Sequence, residues 1–337
     1  MHSTPQSLHE TLPLVRADRS LAITIDARID NREELSRALS VPLSARETMP
    51  DSELVLKAYE AWDTGCAERL LGDFAFAVWD GPRQRLYCAR DHMGARPLYY
   101  RWHDRTFAFA SEVRALMSLP GVSWDLNDDV IAEFLLAWPL DNSVTFFREV
   151  EQVRPAHWLT VAPEGVRARQ YWDPHPLPTT RLKRDEEYAE ALRERVERAV
   201  RSRMRTVFPV AVQLSGGLDS SAVACIAARE LRRQGKRLFA VSSVLPPGHP
   251  GPESDERQYI QAVVAQEDNI DLVPVCAEGA TPLDNLAALS AHYHAPVTDP
   301  FYYMEHALLQ AAAARGARTV LSGYGGDMTA SYNAREA

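Results

Sequence analysis

Hydroxyls, glycines and one acid crowd the stretch Ser215-Gly216-Gly217-Leu218-Asp219-Ser220-Ser221. An apolar run, Val210-Ala211-Val212-Gln213-Leu214, leads into it, and a helical pattern (Ala222, Val223, Ile226, Ala227, Leu231) leads out. Glycines without a Cβ let the backbone turn tightly and approach a ligand closely. A helix that starts there presents unpaired N–H groups and the positive end of its dipole, which suits an anion. Ser215, Ser220 and Ser221 add hydroxyl donors, and Asp219 adds a hard oxygen ligand for Mg²⁺. An ordinary strand–glycine–helix turn needs the glycines but not the acid and hydroxyls at these spacings. The stretch reads as a polyphosphate loop, and the Gly-Lys-Ser/Thr ending of a Walker A loop is absent from it.

A second glycine loop, Ser322-Gly323-Tyr324-Gly325-Gly326-Asp327, follows the apolar Thr319-Val320-Leu321. Alone, such a loop is most simply a turn. Two of them at strand ends of one sheet, each with an aspartate, suit a shared ligand. Asp219 and Asp327 are then placed to hold the Mg²⁺ that neutralises a leaving pyrophosphate. Val241, at the end of Phe239-Ala240-Val241, is the expected backbone contact to an adenine edge.

The elements that must position these loops alternate. Strands are expected at 208–214, 238–244, 270–275 and 318–322, and helices at 219–233, 255–267, 281–293 and 303–315. That alternation predicts a parallel sheet with helices on both faces, whose ligands bind at the carboxyl ends of the strands. Tyr188, Leu192, Val196, Val200 and Met204, four residues apart, predict a helix ahead of it. Residues 20–172 read instead as strand-rich, with alternation at Leu21, Ile23 and Ile25 and at Phe74, Phe76 and Val78. A helix is expected from Ser52 to Trp62, and another capped by Asn31 with Glu34 as a capping box. The proline-rich Asp173-Pro174-His175-Pro176-Leu177-Pro178-Thr179-Thr180 marks a linker. The expected organisation is a domain at 1–172, a linker at 173–184 and a second domain at 185–337. The fold class is α/β overall, with an α+β domain first.

At 337 residues with 46% hydrophobic and 25% charged residues, the chain suits about two globular domains. A formal charge of −9 gives no general attraction to nucleic acid or acidic membranes. Arginines at 193, 195, 198, 201, 203 and 205 are interleaved with glutamates at 186, 187, 190, 194 and 197, the pattern of a solvated helix face. No run is long and apolar enough to span a membrane, and no signal-peptide pattern is seen, so a cytoplasmic protein is expected. Cys66, Cys88, Cys225 and Cys276 lack CxxC spacing and read as buried reduced thiols.

The loop Ser215 to Ser221 resembles the SGGxDS loop of the ATP pyrophosphatases, which cleave ATP between the α and β phosphates. The chain resembles the asparagine synthetase family across nearly its whole length. The glutaminase half is matched by Pro50 to Leu56, Leu70 to Ala77, Ala89 to Tyr100 and Phe107 to Glu112, and the ATP site by Ser215 to Ser221 and Ser322 to Asp327. This resemblance implies an Ntn-hydrolase-like, glutaminase-type domain followed by an ATP-pyrophosphatase domain. It implies ATP and Mg²⁺, and a small-molecule or peptide carboxylate activated as an acyl-adenylate before amide formation. ATP and pyrophosphate would be bound by Ser215, Gly216, Gly217, Leu218, Asp219, Ser220, Ser221, Val241, Ser322, Gly323 and Tyr324, and metal by Asp219 and Asp327. No nucleic acid or membrane partner is implied, and a homodimer is an expectation.

Departures from the family carry expectations of their own. His2 stands where the family has its nucleophilic cysteine, and Asp26-Ala27-Arg28 stands where Asn-Gly-Glu grips glutamine. Of that pocket Asp51 remains, so the glutaminase is expected to be inactive. The family's lysine for amide formation would lie beyond Ala337, so no catalytic residue for that step is identified. Both ends are expected to be truncated, and this chain alone is expected not to complete amide formation. Tyr324 replaces the family's second-loop Glu, and Met328 replaces the acid after the aspartate. The tyrosine is similar to that of β-lactam synthetases and lasso-peptide cyclases, which join an amine already present in the substrate. A tRNA-modifying ATP pyrophosphatase and a non-catalytic remnant are the alternative readings.

Overall fold

A computed structural model describes residues 3–136, 143–175, 179–249, 255–293, 295–297, 299 and 301–329. The chain divides into two units, 1–179 with 290–296, and 180–289 with 297–337.

In the first unit the strands are β1 (Leu14–Val15), β2 (Leu21–Ile29), β3 (Gly72–Asp80), β4 (Arg85–Arg90), β5 (Tyr99–His103), β6 (Thr106–Ala110), β7 (Glu151–Gln152), β8 (His157–Ala162) and β9 (Gly165–Gln170). They form two antiparallel sheets, ordered β1-β2-β3-β4-β8-β9 and β6-β5-β7. Because side chains alternate across a strand, β3 sorts its residues cleanly. Phe74, Phe76 and Val78 join Ile23, Ile29 and Tyr87 in a core with Leu54, Val55 and Tyr59 of the helix Asp51–Trp62. The small Ala75 and Ala77 face the other way and pack with Cys88, Leu98, Val153 and Leu159. Asp91, 1% exposed, shapes the turn after β4 by accepting the backbone N–H groups of Phe74, Met93, Ala95 and Arg96.

One expectation needs correction in this unit, and the burial of two cysteines and the start of one helix need it in the next. Asn31 precedes the helix Arg32–Ala38 but makes no side-chain cap. Its amide instead donates to the Arg69 carbonyl (2.9 Å) and accepts the Leu71 N–H (2.9 Å), because those loop groups have no strand partner of their own. Burial of the cysteines is uneven. Cys66 and Cys88 are buried, with burial pushing the Cys66 thiol up to about 12 and raising that of Cys88 as well. Cys225 is half-buried and Cys276 is exposed, since Cys276 follows the last residue of its strand.

His92 lies edge-on to Tyr171 (5.3 Å between centroids) and Trp172 (5.2 Å), with Phe74 at 6.4 Å. Burial lowers its pKa below the usual 6.5, with Asp91 opposing. A group depressed in the fold takes up protons more readily when unfolded. Its contribution to stability is therefore complete above about pH 6.5 and declines as pH falls toward the folded value. Urea denaturation of His92→Phe should show a shallower loss of stability between pH 7.5 and 5 than the wild type shows. Identical slopes would place the acid sensitivity elsewhere.

The second unit holds a sheet ordered β12-β11-β10-β13, formed by β10 (Val210–Gln213), β11 (Leu238–Ser243), β12 (Ile270–Val275) and β13 (Thr319–Leu321). Every pairing is parallel. Helices cover both faces, as parallel strands require. Asp185–Arg203, Leu218–Arg232 and Arg257–Gln266 pack on one face through Val200, Ala224, Leu231 and Ile260, and Tyr302–Ala314 packs on the other through Ala312. Arg193 pairs with Glu190 and Arg201 with Glu197 on the helix Asp185–Arg203. The helix expected from 281 begins at Leu286, because Asp284 turns back to accept the Thr281 N–H (2.7 Å) and Asn285 takes φ +58°. The parallel pairing of β10 with β13 is what matters for the site. It sets Val212 opposite Leu321, so the loops that follow emerge side by side.

Candidate functional site

Gly216 takes φ +92°, in the left-handed region that favours glycine. A Cβ there would stand 3.0 Å from the Cβ of Tyr259 and 3.1 Å from that of Glu256, so the first helical residues after the loop's neighbour strand press directly on it. Gly217 begins the helix Leu218–Arg232, and no side chain caps that end. The positive end of its dipole lies at that turn. The loop's hydroxyls hold its shape. Ser220 Oγ accepts the Ser215 N–H (3.2 Å), lies 2.9 Å from Ser215 Oγ and donates to the Gly217 carbonyl (3.2 Å). Ser215 Oγ accepts the Gly217 N–H at 3.3 Å.

The second loop closes against the first. A Cβ on Gly323 would lie 2.6 Å from the Ser220 nitrogen and 3.0 Å from the Asp219 Cβ, and one on Gly326 would collide with the Asp219 carboxylate. Glycine at both positions is what lets the loops touch. Asp327 sits in the short helix Gly326–Thr329, and the Tyr324 N–H donates to Ser322 Oγ at 3.4 Å.

A cavity of about 630 Å³ lies between the loops. Ser215, Gly217, Leu218, Asp219, Ser220, Ser322, Gly323, Tyr324 and Asp327 all line it. Leu218 is 84% and Tyr324 92% exposed. Gly216 and Ser221 do not line it; the first shapes the turn, and the second donates its N–H to the Gly217 carbonyl. Val241 also stands apart. It is wholly buried and its carbonyl accepts the Leu214 N–H (3.0 Å), so this part of its backbone is committed to the sheet. The side chain of Met328 lies outside the described residues.

Sequence reasoning missed Gln213, which lines the cavity and donates through Nε2 to Glu305 at 2.6 Å. Its signal was a single amide in an otherwise apolar strand. Among the described residues no group of three or more His, Cys, Asp or Glu side chains is gathered for a metal. Two carboxylates beside a glycine loop that opens a helix fit Mg²⁺ all the same, because Mg²⁺ takes one or two carboxylates and completes its shell with phosphate oxygens and water.

In the first unit the charged residues at the expected glutamine-binding positions are each paired with a neighbouring residue. Asp51, 4% exposed, accepts the Ile29 N–H (3.1 Å) and pairs with Arg32. Arg32 also donates to the Met49 carbonyl at 2.6 Å. Arg28 pairs with Asp30 (3.2 Å) and Asp73 (3.9 Å), and Asp26 pairs with Arg96 at 3.4 Å. His2 lies outside the described residues.

A glutamine amidotransferase domain model matches residues 7–172, and an asparagine synthase model matches residues 191–336. The chain belongs to the asparagine synthase-related family. Its antiparallel first unit is of the glutamine amidotransferase type and its parallel-sheet second unit of the asparagine synthase type, in the order the motifs imply. Asparagine synthetase [glutamine-hydrolyzing] 3 of Bacillus subtilis is 31% identical over 223 residues, covering 66% of this chain and 36% of that protein. Amidase chry2 of Gibberella zeae is 32% identical over 290 residues, covering 82% of this chain and 42% of that one. The chain thus spans well under half the length of these curated relatives. Among solved structures, the Bacillus subtilis glutamine phosphoribosylpyrophosphate amidotransferase complexed with ADP and GMP aligns at a TM-score of 0.35 and 15% identity, over 79% of this chain and 74% of that one. That likeness is too slight to bear on fold or function. No helix among the described residues is long and apolar enough to cross a membrane.

Proposed function

We propose that this chain carries the ATP-dependent, carboxylate-activating site of an amide-forming ligase, joined to a glutaminase-type domain that does not hydrolyse glutamine. The observation that carries this reading is the meeting of two glycine loops at Asp219 around one cavity. A carboxylate oxygen of the substrate attacks the α-phosphorus of ATP, and the bond to the bridging oxygen breaks. The products are an acyl-adenylate and pyrophosphate. An amine then attacks the acyl carbon, loses a proton and displaces AMP.

The chain's part in the first step is electrostatic. Backbone N–H groups at the start of the helix Leu218–Arg232 face the phosphates, and Ser215 and Ser220 keep the loop in shape. Donors fixed in advance need not reorganise as charge develops on the leaving group. Asp219 and Asp327 would hold Mg²⁺, which when bound offsets the negative charge of pyrophosphate. Calorimetric titration tests the reading: Mg·ATP and Mg·pyrophosphate should both bind, and binding of neither would overturn it.

The substrate is a small-molecule or peptide carboxylate. The exposed Leu218 and Tyr324 at the cavity mouth favour one that brings apolar surface, and the resemblance of Tyr324 to the tyrosine of β-lactam synthetases and lasso-peptide cyclases favours one that brings its own amine. The glutaminase half supports this, since Arg28 and Arg32 engage the acids near the glutamine-binding positions. Incubation with glutamine should release no glutamate above a buffer control. Release that scales with protein concentration would defeat this part of the reading.

A further inference from the structure

Among the described residues, Gln213 is the one lining the 630 Å³ cavity that belongs to neither glycine loop. It ends β10, two residues before Ser215, and its side chain meets Glu305 in the first turn of the helix Tyr302–Ala314. An ionised carboxylate only accepts hydrogen bonds, so the amide must turn its Nε2 toward Glu305. The 2.6 Å contact, though exposed, therefore favours the orientation of the amide that leaves Oε1 as its acceptor end. A cavity otherwise furnished with phosphate-facing N–H groups, hydroxyls and metal-binding carboxylates thus gains a neutral acceptor, its orientation favoured by a residue from the opposite face of the sheet.

We propose that Gln213, oriented by Glu305, accepts a hydrogen bond from a ribose hydroxyl of the nucleotide and so selects ATP over its deoxy forms. This rests on the ATP-site reading above. The ribose is joined to the α-phosphate through its 5′ carbon and oxygen, so with the phosphates in the loops its hydroxyls are the nearest donors tied to them. Neutral acceptance by an amide suits a hydroxyl, which brings no charge that a carboxylate would be needed to match. Glu305 does not touch the nucleotide in this arrangement; it is a positioning residue that keeps the amide from turning over.

Calorimetric titration with Mg·ATP, Mg·2′-deoxyATP, Mg·3′-deoxyATP and Mg·pyrophosphate tests it on the full chain. One neutral hydrogen bond corresponds to a preference of about 2- to 10-fold. Wild type should bind ATP tighter than one of the deoxynucleotides by that factor. Gln213→Leu should abolish the preference and Glu305→Ala should reduce it, because a freed amide spends time turned over. Pyrophosphate has no ribose, so its affinity should be unchanged in both variants, which also shows that the loops remain folded. Equal affinity of wild type for all three nucleotides, or a preference that survives Gln213→Leu, would overturn the assignment. Binding of pyrophosphate with no nucleotide discrimination spares the phosphate-site reading and sinks only this one. Binding of neither ATP nor pyrophosphate by wild type removes both.

Discussion

Asp219→Ala should weaken Mg·ATP binding by about 10- to 100-fold, the range expected when a charged partner is removed from a ligand it contacts through charge-assisted bonds. Asp219 stands in the first turn of its helix, so in the proposed site its carboxylate, through Mg²⁺, and the helix N–H groups would address the same phosphates. It is also the side chain over which the second loop closes, with Gly323 and Gly326 against it. Asp219→Asn keeps the shape and removes the charge. It should therefore lose most of the affinity with little change in thermal stability, whereas Asp219→Ala loses the affinity and some stability as well. Asp327→Ala should weaken binding less, because Asp327 lies in a short helix and the Asp219 contacts remain. Asp51→Ala, in the other unit, should leave nucleotide affinity untouched. Calorimetry decides the matter, and equal affinity in wild type and Asp219→Asn would refute the metal-binding role.

Arg32→Met should destabilise the first unit by about 3–5 kcal/mol, the usual cost of leaving one member of a buried ion pair without its counter-charge. Arg32 is 9% and Asp51 4% exposed, so water cannot replace the guanidinium. The Met49 carbonyl loses its donor as well. Paired removal should cost much less. In Arg32→Met/Asp51→Leu no buried charge is stranded, and apolar side chains of similar volume often substitute for a buried pair without loss. Urea denaturation followed by tryptophan fluorescence gives both numbers. If the double variant is as unstable as the single one, the pair's stabilising role lies in the Ile29 N–H and Met49 carbonyl contacts rather than in charge compensation. If the single variant is as stable as wild type, Asp51 is not held by Arg32.

The strand–glycine–helix turn at Ser215 to Ser221 was legible in the residues alone because its signal is local. Two adjacent glycines, a strand before them and a helix with an acid in its first turn impose nearly the same geometry wherever they occur together. The parallel sheet was legible for a related reason: alternation of apolar strands with amphipathic helices leaves few other ways to bury both. What local pattern does not carry is which strands become neighbours. β10 and β13 lie far apart in the chain, and only their pairing in the sheet brings Ser322 to Asp327 over Asp219. The pairing of β10 with β11 likewise commits the Val241 carbonyl to the Leu214 N–H, which the sequence alone did not carry. Partner choice for polar side chains was equally hidden. Asn31 has the type and place of a helix cap yet serves the Arg69 and Leu71 backbone, and Asp51 is held by Arg32. Gln213 became part of the cavity because Glu305 reaches it from another element. Backbone conformation is set by neighbours in sequence, and so the residues determined the loops. Hydrogen-bond and charge partners are set by neighbours in space, and so the tertiary structure decided what those loops face.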